Sequence, residues 1–307
     1  MKIRWGFVLR VLGTVGGLAY IATRVDLGSA KAALTRIPLA TFVLASGLVA
    51  LNVVAGAVRW KVLMRAYGAS NIPSLARLIY LYFVAFFYNN FLPGAVVGDV
   101  GRGVVTRDAF ASEGAAGAIG VVLVERALGL LGLFALLAVG LAATGDALDS
   151  RALWWWTVLG SAGSCVLVAG IALARRIAPR LPEALRKHAA RLPVLHDVKA
   201  FGFATVMSVG TQALIALAGW VLLDALAPIE LGASLLVVPL AAATTFLPIT
   251  VGGAGAREAV YIALCGELFG MAEADAVAAS LGLWFAHLVV GALGGLAQLF
   301  ARRRPTT

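Results

Sequence analysis

Asn89-Asn90-Phe91-Leu92-Pro93-Gly94-Ala95-Val96-Val97-Gly98-Asp99-Val100-Gly101-Arg102-Gly103-Val104-Val105 decides the fold. Set over Thr244 to Val260, it repeats without a gap at an offset of 155 residues. Phe91/Phe246, Leu92/Leu247, Pro93/Pro248, Val96/Val251, Gly98/Gly253, Arg102/Arg257 and Val105/Val260 coincide, seven identities in seventeen positions. A composition this biased gives about one or two identities by chance at a single register. In each copy an apolar run, 75–92 or 233–247, reaches a proline and then glycine-rich sequence containing an arginine. Proline cannot continue a helix hydrogen-bond ladder. Backbone groups freed at membrane depth are tolerated only beside protein or a water-filled cavity. Each copy therefore reads as a broken or re-entrant hairpin.

Membrane depth is the right setting because of composition. The 307 residues are 61% hydrophobic and 13% charged, whereas soluble domains carry about 25% charged residues. Such a chain has too little polar surface for a water-soluble globule, which excludes an ordinary cytosolic enzyme, a secreted disulfide scaffold and a disordered protein. Continuous apolar runs, rather than alternating ones, exclude an outer-membrane barrel. The expected fold class is an all-α polytopic membrane protein forming a single membrane domain, 1–307. Runs at 7–23, 39–58, 115–143, 152–174, 201–223 and 276–300 are long enough to span about 30 Å of hydrocarbon.

Charge sets the orientation. The formal charge is +10, which invites a nucleic-acid partner, but the basic residues sit at the ends of apolar runs, so none is expected. Lys2, Arg4 and Arg10, the 59–77 loop with Arg59, Lys61, Arg65 and Arg77, the 175–199 loop and the Arg302–Arg304 tail belong in the cytoplasm. Both termini are then cytoplasmic. The 144–151 loop (Asp146, Asp149), the 224–230 loop (Asp224, Glu230) and the 267–275 loop (Glu267, Glu273, Asp275) are acidic and belong outside. The 24–38 loop must also lie outside, although Arg24, Lys31 and Arg36 outweigh Asp26.

The same offset maps 7–23 onto 162–178, 39–58 onto 194–213 and 115–143 onto 270–298. Each half, about 5–150 and 151–303, is therefore span, span, hairpin, span. Three crossings per half is odd, so the second half is expected upside down, the inverted-repeat design of secondary transporters. It also argues that 7–23 is a retained span and not a cleaved signal peptide.

An ionised group at bilayer depth costs at least about 2.5–3.5 kcal/mol and is normally paired or faces a cavity. Asp99 and Arg102 share a helix face, and Arg257 and Glu258 take the equivalent place in the second hairpin. Glycine-lined N–H groups favour anions, and an arginine fork suits phosphate. The candidate head-group contacts are Asn89, Asn90, Pro93, Gly98, Asp99, Arg102, Glu125 and Arg126, with Pro248, Gly252, Gly253, Gly255, Arg257 and Glu258. Two roles stay open for Arg102 and Arg257: ligand binding, or structural pairing with Asp99 and Glu258. Asn89 and Asn90 are equally readable as turn residues. Glu125 and Arg126 point about 100° apart, so they do not pair with each other. Asp99, Glu125 and Glu258 are the proton carriers if transport is ion-coupled. His287 reads as a packed, hydrogen-bonded residue. Gly13-x-x-x-Gly17 and Gly291-x-x-x-Gly295 suit close helix packing. The chain contains no Gly-x4-Gly-Lys-Ser/Thr loop and no Cys/His spacing suited to metal. No catalytic residue, metal or cofactor is expected.

These residues resemble a family. The order is Arg59-Trp60-x-x-Leu63, Asn90-x-Leu92-Pro93, Gly98-Asp99-x-x-Arg102, Glu125-Arg126-x-x-Gly129, and Pro248-x-x-x-Gly252-Gly253-x-Gly255-x-Arg257-Glu258. Over essentially its whole length the chain is similar to the lysylphosphatidylglycerol synthase transmembrane-region family, the flippase-like domain of MprF-type proteins. The resemblance implies a bacterial inner-membrane protein that moves a lipid between leaflets, with a lipid head group and the bilayer as partners. The fused transferase domain of MprF-type proteins has no counterpart within these 307 residues. The alternative is a membrane-embedded lipid-carrier transferase, or an accessory subunit partnering a lipid-modifying enzyme.

Overall fold

A computed structural model describes residues 5–92, 96–110, 113–144, 151–246 and 253–302. Lys2, Arg4, Pro93, Gly94, Asp146, Asp149, Pro248, Gly252, Arg303 and Arg304 lie outside the described residues. The described chain is helical and contains no strand. In order the helices are α1 (Trp5–Arg24), α2 (Leu27–Arg36), α3 (Leu39–Ala66), α4 (Leu75–Phe91), α5 (Val97–Val105) and α6 (Gly114–Thr144). They continue with α7 (Arg151–Ile177), α8 (Glu183–Ala189), α9 (Val198–Asp224), α10 (Leu231–Ala243), α11 (Ala256–Phe269) and α12 (Glu273–Arg302).

Among the described residues, five stretches are long and apolar enough to cross a membrane: Leu39–Ala66, Gly114–Thr144, Arg151–Arg180, Val198–Asp224 and Glu273–Ala301. They coincide with five of the six expected spans. The sixth, 7–23, falls in α1, whose 20 residues reach about 30 Å. Polar caps fix the helix starts: Asp26 accepts from the Ser29 N–H at the head of α2, and Ser74 from the Arg77 N–H at the head of α4. Several boundaries differ from the sequence reading: the 24–38 and 175–199 loops contain α2 and α8, and the 267–275 loop overlaps the end of α11 and the start of α12. Helix α3 runs to Ala66, so Arg59, Lys61 and Arg65 are helical rather than in a loop.

Both hairpins are helix pairs broken where the sequence placed the breaks. Helix α4 packs on α5, and α10 on α11. The chain divides into two compact units. One comprises residues 1–51, 136–155 and 213–290, and the other residues 52–135, 156–212 and 291–307. The first unit contains the α10–α11 hairpin. Its close contact is between glycines: a Cβ on Gly255 would lie 2.6 Å from the Gly17 Cα, and Gly255 has φ +86°. Only glycine satisfies both the contact and the dihedral. The Gly13-x-x-x-Gly17 motif is thus used, at Gly17, for packing within the chain. The second unit contains the α4–α5 hairpin. Its core is built around Trp60, Leu63, Met64, Leu78, Val121 and Leu128. There Gly294 presses on α4, where a Cβ would lie 2.0 Å from the Phe83 carbonyl oxygen. Small residues at such contacts let helices approach closely where lipid removes the hydrophobic drive between them.

Candidate functional site

In the first hairpin, Asn89 closes the turn from both sides. Its Oδ1 accepts from the Gly98 N–H at 2.9 Å, and its Nδ2 donates to Asp99 Oδ2 at 3.1 Å. Gly98 lies so close to α4 that a Cβ would fall 2.0 Å from the Ala85 carbonyl oxygen. Its missing side chain therefore serves helix packing. Asn90 donates to the Phe86 carbonyl on its own helix at 2.8 Å. One turn into α5, Arg102 Nε donates to Asp99 Oδ1 at 2.8 Å, the i,i+3 pair that the spacing implied.

This pair belongs to a larger cluster. Arg102 Nη1 lies 2.7 Å from Glu125 Oε2 on α6. Its guanidinium carbon sits 4.6 Å from the Trp60 ring centroid and 4.4 Å from that of Tyr82, within cation–π range of both. Glu125 Oε1 accepts from the Tyr82 hydroxyl at 2.7 Å and from Arg59 Nη2 at 3.1 Å. Arg59 Nη1 donates to the Ser208 and Thr211 hydroxyls on α9, each at 3.0 Å. Arg126 Nε donates to Asp99 Oδ2 at 2.6 Å, and its Nη2 contacts the same oxygen. The 100° between Glu125 and Arg126 sends them to different partners, as the helix geometry requires.

Burial grades this cluster. Side-chain exposure is 8% for Arg59, 3% for Arg102, 1% for Glu125 and 10% for Asp99, but 31% for Arg126. Leaving an ion of this kind buried without its partner costs roughly 3–5 kcal/mol. Here three arginines face two carboxylates, and Asp99 is shared between Arg102 and Arg126. The most accessible member of the cluster is Arg126.

The second hairpin is arranged differently. Arg257 and Glu258 sit in the first turn of α11. Glu258 Oε2 accepts from the Gly255 N–H at 2.8 Å, an acidic N3 residue reaching back to its helix start. Glu258 Oε1 accepts from Arg257 Nε at 2.9 Å and from the Ser280 hydroxyl at 3.1 Å. One cation meets one anion, so the charge is balanced. His287 Nδ1 lies 2.7 Å from the Leu283 carbonyl, a packed and bonded histidine. Gly253, at φ +80°, is the 155-residue counterpart of Gly98. A Cβ there would lie 3.4 Å from the hydroxyl of Thr244, the counterpart of Asn89. The nearest neighbour of that Cβ is the Thr245 methyl group at 2.8 Å, so the hydrogen bond that ties Asn89 to Gly98 has no described equivalent in the second hairpin.

The structure brings Asn89, Asp99, Arg102, Glu125 and Arg126 together, and separately Gly253, Gly255, Arg257 and Glu258. Asn90 is satisfied within α4. Sequence reasoning missed Arg59, Tyr82, Ser208 and Thr211. The available signal is the Arg59-Trp60 motif at the end of an apolar run, which serves the sequence reading for orientation and for the family resemblance but not for the site. A cavity of about 450 Å³ lies between α4 and α12, lined by Phe87, Phe91, Gly295 and Leu296 among others. Phe87 is turned about 140° around α4 from Tyr82, so this cavity is on another face from the charges.

The family model described as the lysylphosphatidylglycerol synthase TM region matches residues 7–295. Comparison with curated proteins gives no significant match.

Proposed function

The chain belongs to the lysylphosphatidylglycerol synthase TM-region family, a membrane protein of lipid metabolism or transport, and from that premise we propose that it is a lipid flippase. It moves an anionic, phosphorylated lipid between the leaflets of the bacterial inner membrane. The observation that supports this reading is the arginine-rich Arg59–Asp99–Arg102–Glu125–Arg126 cluster at membrane depth, whose most accessible member is a guanidinium of the kind suited to phosphate. Transport is favoured over catalysis because the two carboxylates are already engaged. Asp99 holds two arginines and Asn89, while Glu125 holds two arginines and Tyr82. Both carboxylates are held by arginines in ion pairs, which disfavours their taking up a proton.

The 155-residue sequence repeat and the helix pair in each half support two repeats, about 5–150 and 151–303, which the odd number of crossings per half would place in opposite orientation. Cytoplasmic termini follow from the basic loops. The loop that departed from this pattern, 24–38, finds its anions in the acidic loop expected on the outer side: Arg24 pairs with Glu273 and Arg36 with Asp275. Reconstitution into liposomes tests the reading. Translocation of a phosphatidylglycerol head group without chemical change supports a flippase. Chemical conversion of the lipid without translocation supports a transferase.

A further inference from the structure

We propose that the basic turn after α7, from Arg176 to Arg191, is a seat for anionic phospholipid at the membrane surface. The seat stands whether or not the chain transports lipid. Between residues 175 and 199 the chain carries seven Lys or Arg against Glu183 and Asp197. Orientation in the membrane needs only that charge. The structure adds a fixed shape. Ala189 of α8 packs against Ala174 and Ala178 at the end of α7, with Leu181 and Leu192 around them. Arg175 Nη1 donates to Glu113 Oε1 at 2.9 Å, just before the start of α6. Pro193 and Leu192 lie against Gly120 of α6, where a Cβ would fall 2.8 and 3.0 Å from them. The turn therefore holds its cations in place, and a ligand binds it at less cost in entropy than it would bind a loose loop.

The stretch that leads into the turn says what faces it. Among the described residues, α7 is the least enclosed of the five membrane-crossing stretches, with 22% of its apolar run buried. Val166, Leu173 and Ile177 are exposed along one side of it. Arg176 is exposed on that side too, and Arg180 follows, also exposed, in the 3-10 turn Ala178–Arg180. An apolar stripe open to hydrocarbon thus ends in two guanidiniums, where the head groups begin. Further along, Leu185 is exposed beside the exposed Arg186, and Arg191 is exposed as well. Apolar side chains flanked by arginines suit the interface of an anionic leaflet, and a guanidinium fork suits phosphate. A lipid is favoured over an acidic protein because the arginines continue a lipid-facing stripe.

A polarity-sensitive fluorophore on Ala190→Cys, in a Cys165→Ser background, reads this turn locally, since Ala190 is exposed and adjoins Ala189. The purified protein in nonionic detergent is titrated with dioctanoyl phosphatidylglycerol. Emission should shift to the blue, at concentrations at least about tenfold below those needed with dioctanoyl phosphatidylcholine. The double variant Arg176→Gln/Arg180→Gln should raise the half-response concentration of phosphatidylglycerol at least about tenfold. Its melting temperature should stay near that of the parent. Should it not fold, the parent protein decides: raised ionic strength should weaken the response to phosphatidylglycerol and spare that to phosphatidylcholine. Equal responses to the two lipids, an unchanged response in the double variant, or indifference to salt would overturn the proposal. Inorganic phosphate and poly-glutamate are the further arms. Neither should shift the emission. A shift with phosphate equal to that with lipid would overturn the lipid assignment, and a shift with poly-glutamate but not with lipid would give the turn to an acidic protein instead. The readout is local binding, so vesicles that translocate nothing would refute the transport reading and leave this result standing.

Discussion

The Asp99 carboxylate accepts a hydrogen bond from Arg126 Nε at 2.6 Å, between residues twenty-seven apart in sequence. That contact ties α5, the second arm of the first hairpin, to the long helix α6. It also places the only substantially exposed member of the charge cluster against a carboxylate already held by Arg102. The remaining contacts enclose Arg102 between Trp60 and Tyr82 and lock Glu125 to Arg59. The arginines therefore differ in setting: Arg59 and Arg102 are enclosed, and Arg126 is the more exposed.

Glu125→Ala should be strongly destabilising. It leaves Arg59 and Arg102 buried without their shared partner, a loss of about 3–5 kcal/mol. Thermal unfolding in detergent reads it. Ser208→Ala, which removes one neutral acceptor from Arg59, should cost about 1 kcal/mol. A melting temperature unchanged by Glu125→Ala would mean that the cluster does not support the fold.

Two glycines of α5, three residues apart, should behave oppositely. Gly98→Ala drives a methyl group into the Ala85 carbonyl and should cost about 1–3 kcal/mol through forced backbone movement. Nothing lies within 4 Å of a Cβ on Gly101. Gly101→Ala should be neutral or should stabilise by up to about 1 kcal/mol through helix propensity. Equal melting temperatures for the two variants would contradict the close α4–α5 approach.

Orientation can be read with single cysteines in a Cys165→Ser background, because Cys165 is exposed and Cys265 is buried. Lys31→Cys and Ala272→Cys should react with a membrane-impermeant maleimide from the outer side. Ser70→Cys and Arg186→Cys should react only from the cytoplasm. Labelling of positions 31 and 272 from opposite sides would break the assignment of the Arg24–Glu273 and Arg36–Asp275 pairs to one surface.

The start of α2 should be pH-sensitive. The Asp26 carboxyl is held below the usual carboxylate range, first by the Ser29 backbone N–H and then by the Ser29 hydroxyl. A folded-state pKa below the unfolded one means that the cap contributes above the ordinary carboxylate pKa. The contribution is lost as pH falls through the lowered value. Exchange protection of the α2 amides, corrected for intrinsic rates, should therefore drop in acid for the wild type. Asp26→Asn should remove that pH dependence, and a persistent drop in the variant would assign it elsewhere.

The elements were legible because lipid leaves backbone few choices. Apolar length marked the spans, and the expected breaks at Pro93 and Pro248 lie outside the described residues, between α4 and α5 and between α10 and α11 in sequence. The Asp99–Arg102 pair was readable from its spacing, and so was the divergence of Glu125 from Arg126. What sequence could not give was which arginine faces outward. Arg59 ends an apolar run exactly as an orientation signal does, and only the continuation of α3 to Ala66 carries it into the core. Gly98 looked like an opening for a ligand. Its neighbour turned out to be the backbone of α4, a contact between segments that periodicity does not encode.

The central claim is that the chain translocates a phosphorylated lipid. Proteoliposomes containing a head-group-accessible fluorescent phosphatidylglycerol, challenged with an impermeant quencher, test it most directly. Wild-type protein should make inner-leaflet lipid available to the quencher without altering the head group. Arg126→Gln should lower that rate at least about tenfold while unfolding at nearly the wild-type temperature. Wild-type rates from Arg126→Gln would take that guanidinium out of the account, and inner-leaflet lipid that stays protected with wild-type protein would contradict the claim.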